Sequence, residues 1–290
     1  MKKTFLILLL TTFTFATTDV IVSIVPQKVF VEKIGGDKVD VTVMVKAGSS
    51  PHNYTPQPSQ MKKLSQAKLY LSIGVEFEEV WLSKFANQNK NLLILDTSLG
   101  IKKQSMEGEE HKQCKSLHHH EHGEIDPHVW VDPQNVKVIA QNIYESLIRV
   151  DANNTAFYKK NYETYIKELD ALDVEIKEIL KDVPKESTFM VFHPSWGYFA
   201  KRYELTQLAV EVEGKEPKMK ALVQIIEKAK KEKVHAIFTQ PEFSDKASQN
   251  IARNLKIPVV KASPLAEDWA KNLKRLAKAI APKETKKKTK

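Results

Sequence analysis

Short runs of apolar and β-branched residues recur along the chain, about four in each half. Runs of this length and composition predict β-strands. In the first half they cover 20–25, 39–45, 68–73 and 91–96, and in the second half 188–193, 205–212, 234–240 and 257–263. The same order of elements is therefore predicted for both halves.

Segments with helical periodicity lie between the predicted strands. One begins at Pro26 and closes at Gly35 and Gly36, because Pro is favoured in the first turn of a helix and Gly after its end. The others cover 57–67, 77–88, 195–203, 217–232 and 244–256. Strands that alternate with helices predict parallel sheets covered on both faces, so the expected fold class is α/β.

The strand pattern stops in the middle of the chain, where two helices are predicted over 133–149 and 155–181. The second has apolar and aromatic residues at spacings of three and four: Tyr158, Tyr162, Tyr165, Leu169, Leu172, Ile176 and Ile179. At 1.5 Å per residue this helix is about 40 Å long. We expect it to join the two halves as a stiff connection.

The two ends of the chain differ in composition from the body. Lys2 and Lys3 precede an apolar run that ends near Ala16, which predicts a secretory signal peptide over 1–16 and a periplasmic protein. The basic tail 283–290 is predicted to be disordered. These two ends supply six of the nine net positive charges. The body is thus only mildly basic, and a nucleic-acid partner is not indicated.

Three histidines stand at or just beyond the ends of predicted strands. His52 and His128 come after the second and fourth strands, and His193 ends the fifth. Ligands of open α/β sheets bind beyond the carboxyl ends of the strands, so two facing lobes would bring these histidines together. Three imidazoles suit zinc and leave one tetrahedral position to fill. Any one of them taken alone is more often an ordinary surface or core residue than a ligand.

Most of the other histidines lie in the stretch 104–125, QSMEGEEHKQCKSLHHHEHGEI. Its candidate weak ligands are His111, Cys114, His118, His119, His120 and His122. Few of its residues are apolar, so we expect a mobile loop that holds zinc weakly. A solvated loop that meets metal only incidentally is the alternative. Cys114 is the only cysteine, so no intramolecular disulfide can form.

Five segments carry a resemblance to a known family. They are SPHNYTPQPSQMKKLSQAKLYLSIGVEFE (50–78), DPHVWVDPQN (126–135), VFHPSWGYFA (191–200), EGKEPKMKAL (213–222) and PLAEDWAKNLKRL (264–276). They resemble the metal-binding solute receptors (cluster A-I) of ABC importers, and are most similar to periplasmic zinc-uptake receptors of the ZnuA type. The likeness covers almost all of the mature chain in the same order.

The resemblance implies two similar lobes, each a mostly parallel four-stranded sheet with flanking helices, joined by one long linker helix. It implies that His52, His128 and His193 hold Zn²⁺, as the transported ligand, in the cleft between the lobes. The partner would be the membrane permease of an ABC importer with its ATPase, and the receptor would be a monomer that catalyses no reaction. The expected divisions are a lobe over 17–150, a linker helix over 151–183 and a second lobe over 184–282.

The chain departs from the family pattern at the fourth ligand. Some relatives have a carboxylate at the positions that Pro51 and Ser263 occupy here, so we expect water or a side chain from the His-rich stretch in that place. Manganese members usually have a carboxylate where this chain has His193, which favours zinc. A manganese or iron receptor, a three-histidine zinc hydrolase and a surface adhesin remain as alternatives. No HExxH motif or nucleophile elbow supports the hydrolase.

Aromatic and acidic residues near the histidines allow two readings. Trp130, Trp196 and Tyr198 are expected to wall the metal site against water, although they could instead stack on an organic substrate. Glu213 and Glu216 could act as an acid–base pair. A turn between a strand and a helix explains these two glutamates more simply.

Overall fold

The computed structural model describes residues 17–106, 125–211, 216–243 and 246–281. In these residues the chain forms two α/β lobes that follow each other along the sequence. The predicted signal peptide and the predicted basic tail lie outside them. Among the described helices, none has the length and apolar character of a membrane span.

The first lobe contains a parallel sheet with the strand order β2-β1-β3-β4. Its strands are β1 (Thr18–Val22), β2 (Val39–Val43), β3 (Leu69–Ser72) and β4 (Leu93–Asp96), and its helices are α1 (Val25–Gly35), α2 (Pro58–Gln66) and α3 (Glu76–Gln88). Gly36 has a positive φ of 53° directly after α1. Glycine adopts this left-handed conformation without steric cost, so it ends the helix where the sequence predicts.

Two helices follow the first sheet: α4 (Pro133–Val150), which packs against the first lobe, and α5 (Thr155–Leu180), which joins the two lobes. The Asp132 carboxylate accepts a hydrogen bond from the backbone of Gln134 and so caps the start of α4. The 26 residues of α5 give a length of about 39 Å. This helix packs against α1 of the first lobe and against the helix Trp269–Ile280 of the second lobe, so it supports both lobes.

The second lobe repeats the arrangement of the first, with four parallel strands in the order β6-β5-β7-β8. The strands are β5 (Thr188–Val191), β6 (Thr206–Ala209), β7 (Ile237–Thr239) and β8 (Val259–Lys261), and the helices are α6 (Gly197–Arg202), α7 (Met219–Lys231), α8 (Lys246–Leu255) and α9 (Trp269–Ile280). The predicted fold class, two similar lobes with parallel four-stranded sheets and one long connecting helix, is confirmed.

Helix α9 is present although the sequence pattern was not interpreted as a helix there. Its buried residues Trp269, Leu273, Leu276 and Ile280 recur at spacings of three and four, which is the signal of an amphipathic helix. The predicted strands are also longer than the observed ones, because apolar residues beyond a strand enter the next loop or helix. Val25, for example, begins α1 instead of ending β1.

One hydrophobic core runs through both lobes, and a second, smaller one lies within the second lobe. Two hydrogen bonds join the lobes beside it: the Trp130 indole donates to the carbonyl of Pro264 at 2.8 Å, and the Trp269 indole donates to the carbonyl of Trp130 at 2.9 Å. Trp130 lies in a short 3-10 helix (Val129–Val131) directly after His128. The interlobe contact therefore continues up to one of the candidate ligands.

Candidate metal centre

The three histidines at the strand ends lie together in the cleft between the lobes. The ring of His193 is 5.2 Å from the ring of His52 and 5.2 Å from the ring of His128, measured between centroids. His52 lies in the loop after β2, and His193 lies two residues after β5. The carboxyl ends of parallel strands in both lobes thus supply the cluster, as expected for open α/β sheets.

Two of these imidazoles are buried, and each has a carboxylate at its Nδ1 atom. The Nδ1 of His128 is 2.8 Å from Oδ1 of Asp126, and the Nδ1 of His193 is 2.7 Å from Oε1 of Glu211. An ionised carboxylate can only accept a hydrogen bond, so the ring proton belongs on Nδ1 in both residues. The Nε2 atom then has a free lone pair, which is the state that a metal requires.

His52 also has a carboxylate near its Nδ1 atom, but the contact is longer and the side chain is more exposed. Its Nδ1 lies 3.3 Å from Oε1 of Glu76, and 38% of its side chain is exposed, compared with 9% for His128 and 7% for His193. Burial raises the pKa of Glu76, but the hydrogen bond and electrostatic interaction with His52, together with smaller contributions from its own backbone and from His128, outweigh this effect and lower the pKa to about 2. Glu76 is therefore an anion that can orient His52.

The Nε2 atom of His193 is buried and has no hydrogen-bond partner. Burial also lowers the pKa of His193 below its ordinary value of 6.5, although the hydrogen bond to Glu211 opposes this shift. The neutral ring is thus favoured at neutral pH. A buried lone pair without a donor is costly in a protein interior, and a bound cation would satisfy it.

The cavity beside the histidines leaves about 20 Å³ for a water-sized particle. Its lining residues are Ser50, Pro51, His52, Val75, Glu76, Pro127, His128, Trp130, His193, Glu242, Phe243, Pro264 and Leu265. This space suits one water molecule or one ion. Two carboxylates in the lining, Glu76 and Glu242, were not among the site residues predicted from the sequence. Burial raises the pKa of Glu242, and a hydrogen bond from Ser263 opposes the rise.

The cluster is assembled but its donor atoms have not converged. Within the described ranges, no three His, Cys, Asp or Glu side chains form a group that could hold a metal ion as they are placed. The ring distances show that the side chains are neighbours, whereas ligation requires the Nε2 atoms to meet at one point about 2.0–2.1 Å from each. Turning of the rings or movement of the lobes would bring this about.

The three aromatic residues considered above have different positions. Trp130 lines the cavity, with its ring 5.3 Å from the ring of His128. Trp196 and Tyr198 are buried in the core and do not line the cavity. The Tyr198 hydroxyl donates to the carbonyl of Asp126 at 3.1 Å, so it supports the segment that holds His128. Of these three residues, Trp130 is placed to wall the metal cavity, whereas Trp196 and Tyr198 are not.

All six candidate ligands of the His-rich stretch lie outside the described residues, and so does Glu213. The ends of the stretch are described, and they lie side by side, because Ser105 and Ile125 form an antiparallel bridge. The backbone of Asp126 also donates to the carbonyl of Gln104 at 2.9 Å. The described ends of the stretch therefore lie beside Asp126, close to His128. Glu216 is exposed and does not line the cavity.

Comparison with known proteins identifies the family. A crystal structure of ZnuA is 39% identical and superposes with a TM-score of 0.83, covering 91% of this chain and 98% of that chain. The metal ABC transporter substrate-binding lipoprotein SsaB of Streptococcus sanguinis is 32% identical over 240 residues, which cover 79% of this chain and 74% of that protein. The manganese ABC transporter substrate-binding lipoprotein PsaA of Streptococcus anginosus is 31% identical with the same coverage.

These proteins are substrate-binding receptors of ABC importers and not enzymes, so the hydrolase alternative is set aside. The family described as the periplasmic component A of the zinc-uptake complex, ZnuA, matches residues 20–282. Since this match covers both lobes and the helix that joins them, the chain belongs to the ZnuA family of metal-binding receptors for ABC importers.

Proposed function

We propose that the protein binds Zn²⁺ between its lobes through the Nε2 atoms of His52, His128 and His193, and delivers it to the membrane permease of an ABC importer. The observation that carries this proposal is the carboxylate beside each Nδ1 atom. Such outer partners orient a ligating imidazole and make it more basic. Three imidazoles oriented in this way, supplied by both lobes, would form a zinc site with one coordination position left to fill.

The donor set favours zinc over manganese. Imidazole nitrogen suits zinc in tetrahedral geometry, whereas manganese prefers carboxylate, carbonyl and water oxygens in octahedral geometry. The relatives give no single answer, because PsaA is named for manganese and the ZnuA family for zinc uptake. A manganese receptor is therefore the second candidate. The imidazole nitrogen of His193 argues against it, because manganese prefers oxygen donors.

The remaining features stay predictions from the sequence. They are the cleaved signal peptide, the periplasmic location, the monomeric state and the weak zinc sites of the stretch 104–125. The described ends of that stretch lie beside Asp126, which is the partner of His128, and this supports an auxiliary role. Zinc held weakly there would be released close to the proposed site.

Metal competition tests the choice of metal. The purified mature protein, stripped with a chelator and loaded from an equimolar mixture of zinc and manganese, is expected to retain zinc in at least about tenfold excess, which is a difference of about 1.4 kcal/mol. Elemental analysis after removal of free metal measures the ratio. Retention of manganese in excess would establish the second candidate.

His193→Glu provides the matched control for that experiment. The substitution replaces a nitrogen ligand with the oxygen ligand that manganese receptors usually have at this position. We expect the zinc excess to shrink, because oxygen donors narrow the preference for zinc. An unchanged ratio in this variant would show that His193 does not determine the metal.

Zinc binding should also weaken below about pH 6.5, the ordinary pKa of histidine. Zinc binds only the neutral imidazole, so protons compete with it. Because burial lowers the pKa of His193, this residue keeps its lone pair to a lower pH than a free histidine would, and its contribution is lost only below 6.5. Chelator competition across this pH range measures the effect. Complete loss of binding already at neutral pH would contradict the assignment.

A further inference from the structure

The metal cavity contains one carboxylate that the three histidines leave without a role. Glu242 follows β7 in the second lobe and lines the cavity together with His52, His128 and His193. Its Oε1 atom accepts a hydrogen bond from the Ser263 hydroxyl at 2.7 Å. The same hydroxyl oxygen accepts from the backbone of Leu265 at 3.0 Å. One oxygen of the carboxylate is thus held in place by a serine that is itself held.

The other oxygen of Glu242 has no such partner. Oε2 is buried and makes no hydrogen bond. The same is true of Nε2 of His193, which lines the same cavity. Both atoms are acceptors in their favoured states, so they cannot satisfy each other. A water molecule could donate to both, but it would leave the buried negative charge uncompensated. A cation between them would satisfy both atoms and compensate the charge.

Contacts around His193 tie Glu242 to the proposed site. The Phe243 ring stacks on the His193 ring at 5.0 Å with an interplanar angle of 25°. The backbone of His193 donates to Oε1 of Gln240 at 3.4 Å. Glu242 therefore lies between two residues that both contact His193. It also follows β7, the neighbour of the strand that precedes His193, at the point where the strand order reverses.

The two lobes place a glutamate at matching points. The strand orders β2-β1-β3-β4 and β6-β5-β7-β8 make β3 and β7 equivalent. Glu76 is the fourth residue after β3 and Glu242 the third after β7, and each is followed by phenylalanine. Glu76 contacts Nδ1 of His52, whereas Glu242 contacts no histidine nitrogen among its hydrogen bonds and ion pairs. Glu76 thus orients His52, whereas Oε2 of Glu242 is available to bind a metal ion.

We propose that Glu242 is the fourth protein ligand of the transported metal, through Oε2, and that Ser263 positions it. The proposal rests on the function proposed above and deepens it. It replaces the expected water or loop side chain in the fourth place with a carboxylate from the second lobe. Each lobe then supplies two ligands, His52 and His128 from the first and His193 and Glu242 from the second. The bound ion would therefore hold the lobes together.

Glu242→Gln is the first test, because it keeps the shape of the side chain and removes the anion. Chelator competition should show zinc binding weakened by at least about a hundredfold, beyond the usual cost of losing a supporting group, because a neutral amide replaces an anionic ligand. Ser263→Ala, which frees Oε1, should cause a smaller loss of about tenfold. Glu227→Gln on the exposed face of α7 is the control and should bind as the unaltered protein does.

A crystal structure of the zinc-loaded protein is the second test, since an indirect structural effect of the substitution would not produce a metal–oxygen bond. The proposal requires Oε2 of Glu242 about 2.0–2.2 Å from zinc. Binding by Glu242→Gln that is unchanged within experimental error, or water or another residue in the fourth position, would overturn it. Either result would leave the proposed zinc-receptor function in place. That function would be contradicted only if the histidine variants still bound zinc tightly.

Discussion

Replacing His193 with alanine is expected to weaken zinc binding by about a thousandfold or more, which corresponds to about 4 kcal/mol. The loss should exceed the 10–100-fold cost of removing a supporting partner, because the metal loses a direct ligand. His128→Ala should have a similar effect, since His128 is equally buried and has the same kind of carboxylate partner. His52→Ala should cost less, because that side chain is more exposed and its carboxylate contact is longer. Chelator competition titration measures all three.

Two further variants make the comparison specific. His235→Ala removes an exposed histidine of the second lobe that does not line the metal cavity, so its zinc affinity should not change. Glu211→Gln keeps His193 but weakens the partner at its Nδ1, so it should fall between the control and His193→Ala. Tight binding that survives in all three ligand variants would place the primary site elsewhere in the chain.

The positions of the histidines could be predicted because they depend on a general property of parallel sheets. Strands that alternate with helices all end at the same edge, so His52, His128 and His193 were expected to meet before any distance was known. Periodicity also predicted α5, since a long amphipathic pattern without Gly or Pro is typical of a helix. These inferences need only the order of elements along the chain.

The carboxylates were missed because their role depends on neighbours in space. Glu211 follows β6, which pairs with the strand before His193, yet the two residues are 18 positions apart in sequence. Glu242 is still farther from His193 in sequence, because it follows β7, the next strand after β6. Asp126 is different, because it precedes His128 by only two residues and could have been recognised as its partner from the DPH sequence alone. Abundant residues such as glutamate become informative only when burial and contacts select among them.

The contact between the lobes gives a large expected effect on stability. Trp269 is buried, its ring meets the ring of Phe30 edge-on at 5.0 Å, and its indole donates to the carbonyl of Trp130. Phe30 belongs to α1 of the first lobe and Trp269 to α9 at the end of the second. Trp269→Ala removes both contacts and leaves a cavity in the core that the lobes share. We expect it to lower the free energy of unfolding by about 3–5 kcal/mol.

Trp269→Phe separates packing from hydrogen bonding. This variant retains an aromatic ring and loses the donor to the Trp130 carbonyl, so it should cost about 1–3 kcal/mol. Urea denaturation of the metal-free protein is the appropriate measurement, because bound zinc would add its own stabilisation. Leu99→Ala serves as the control, since Leu99 is 72% exposed and should change stability by no more than about 0.5 kcal/mol. If Trp269→Ala unfolds like the control, the lobes are not held together at this contact, and the coupling must lie in α5 instead.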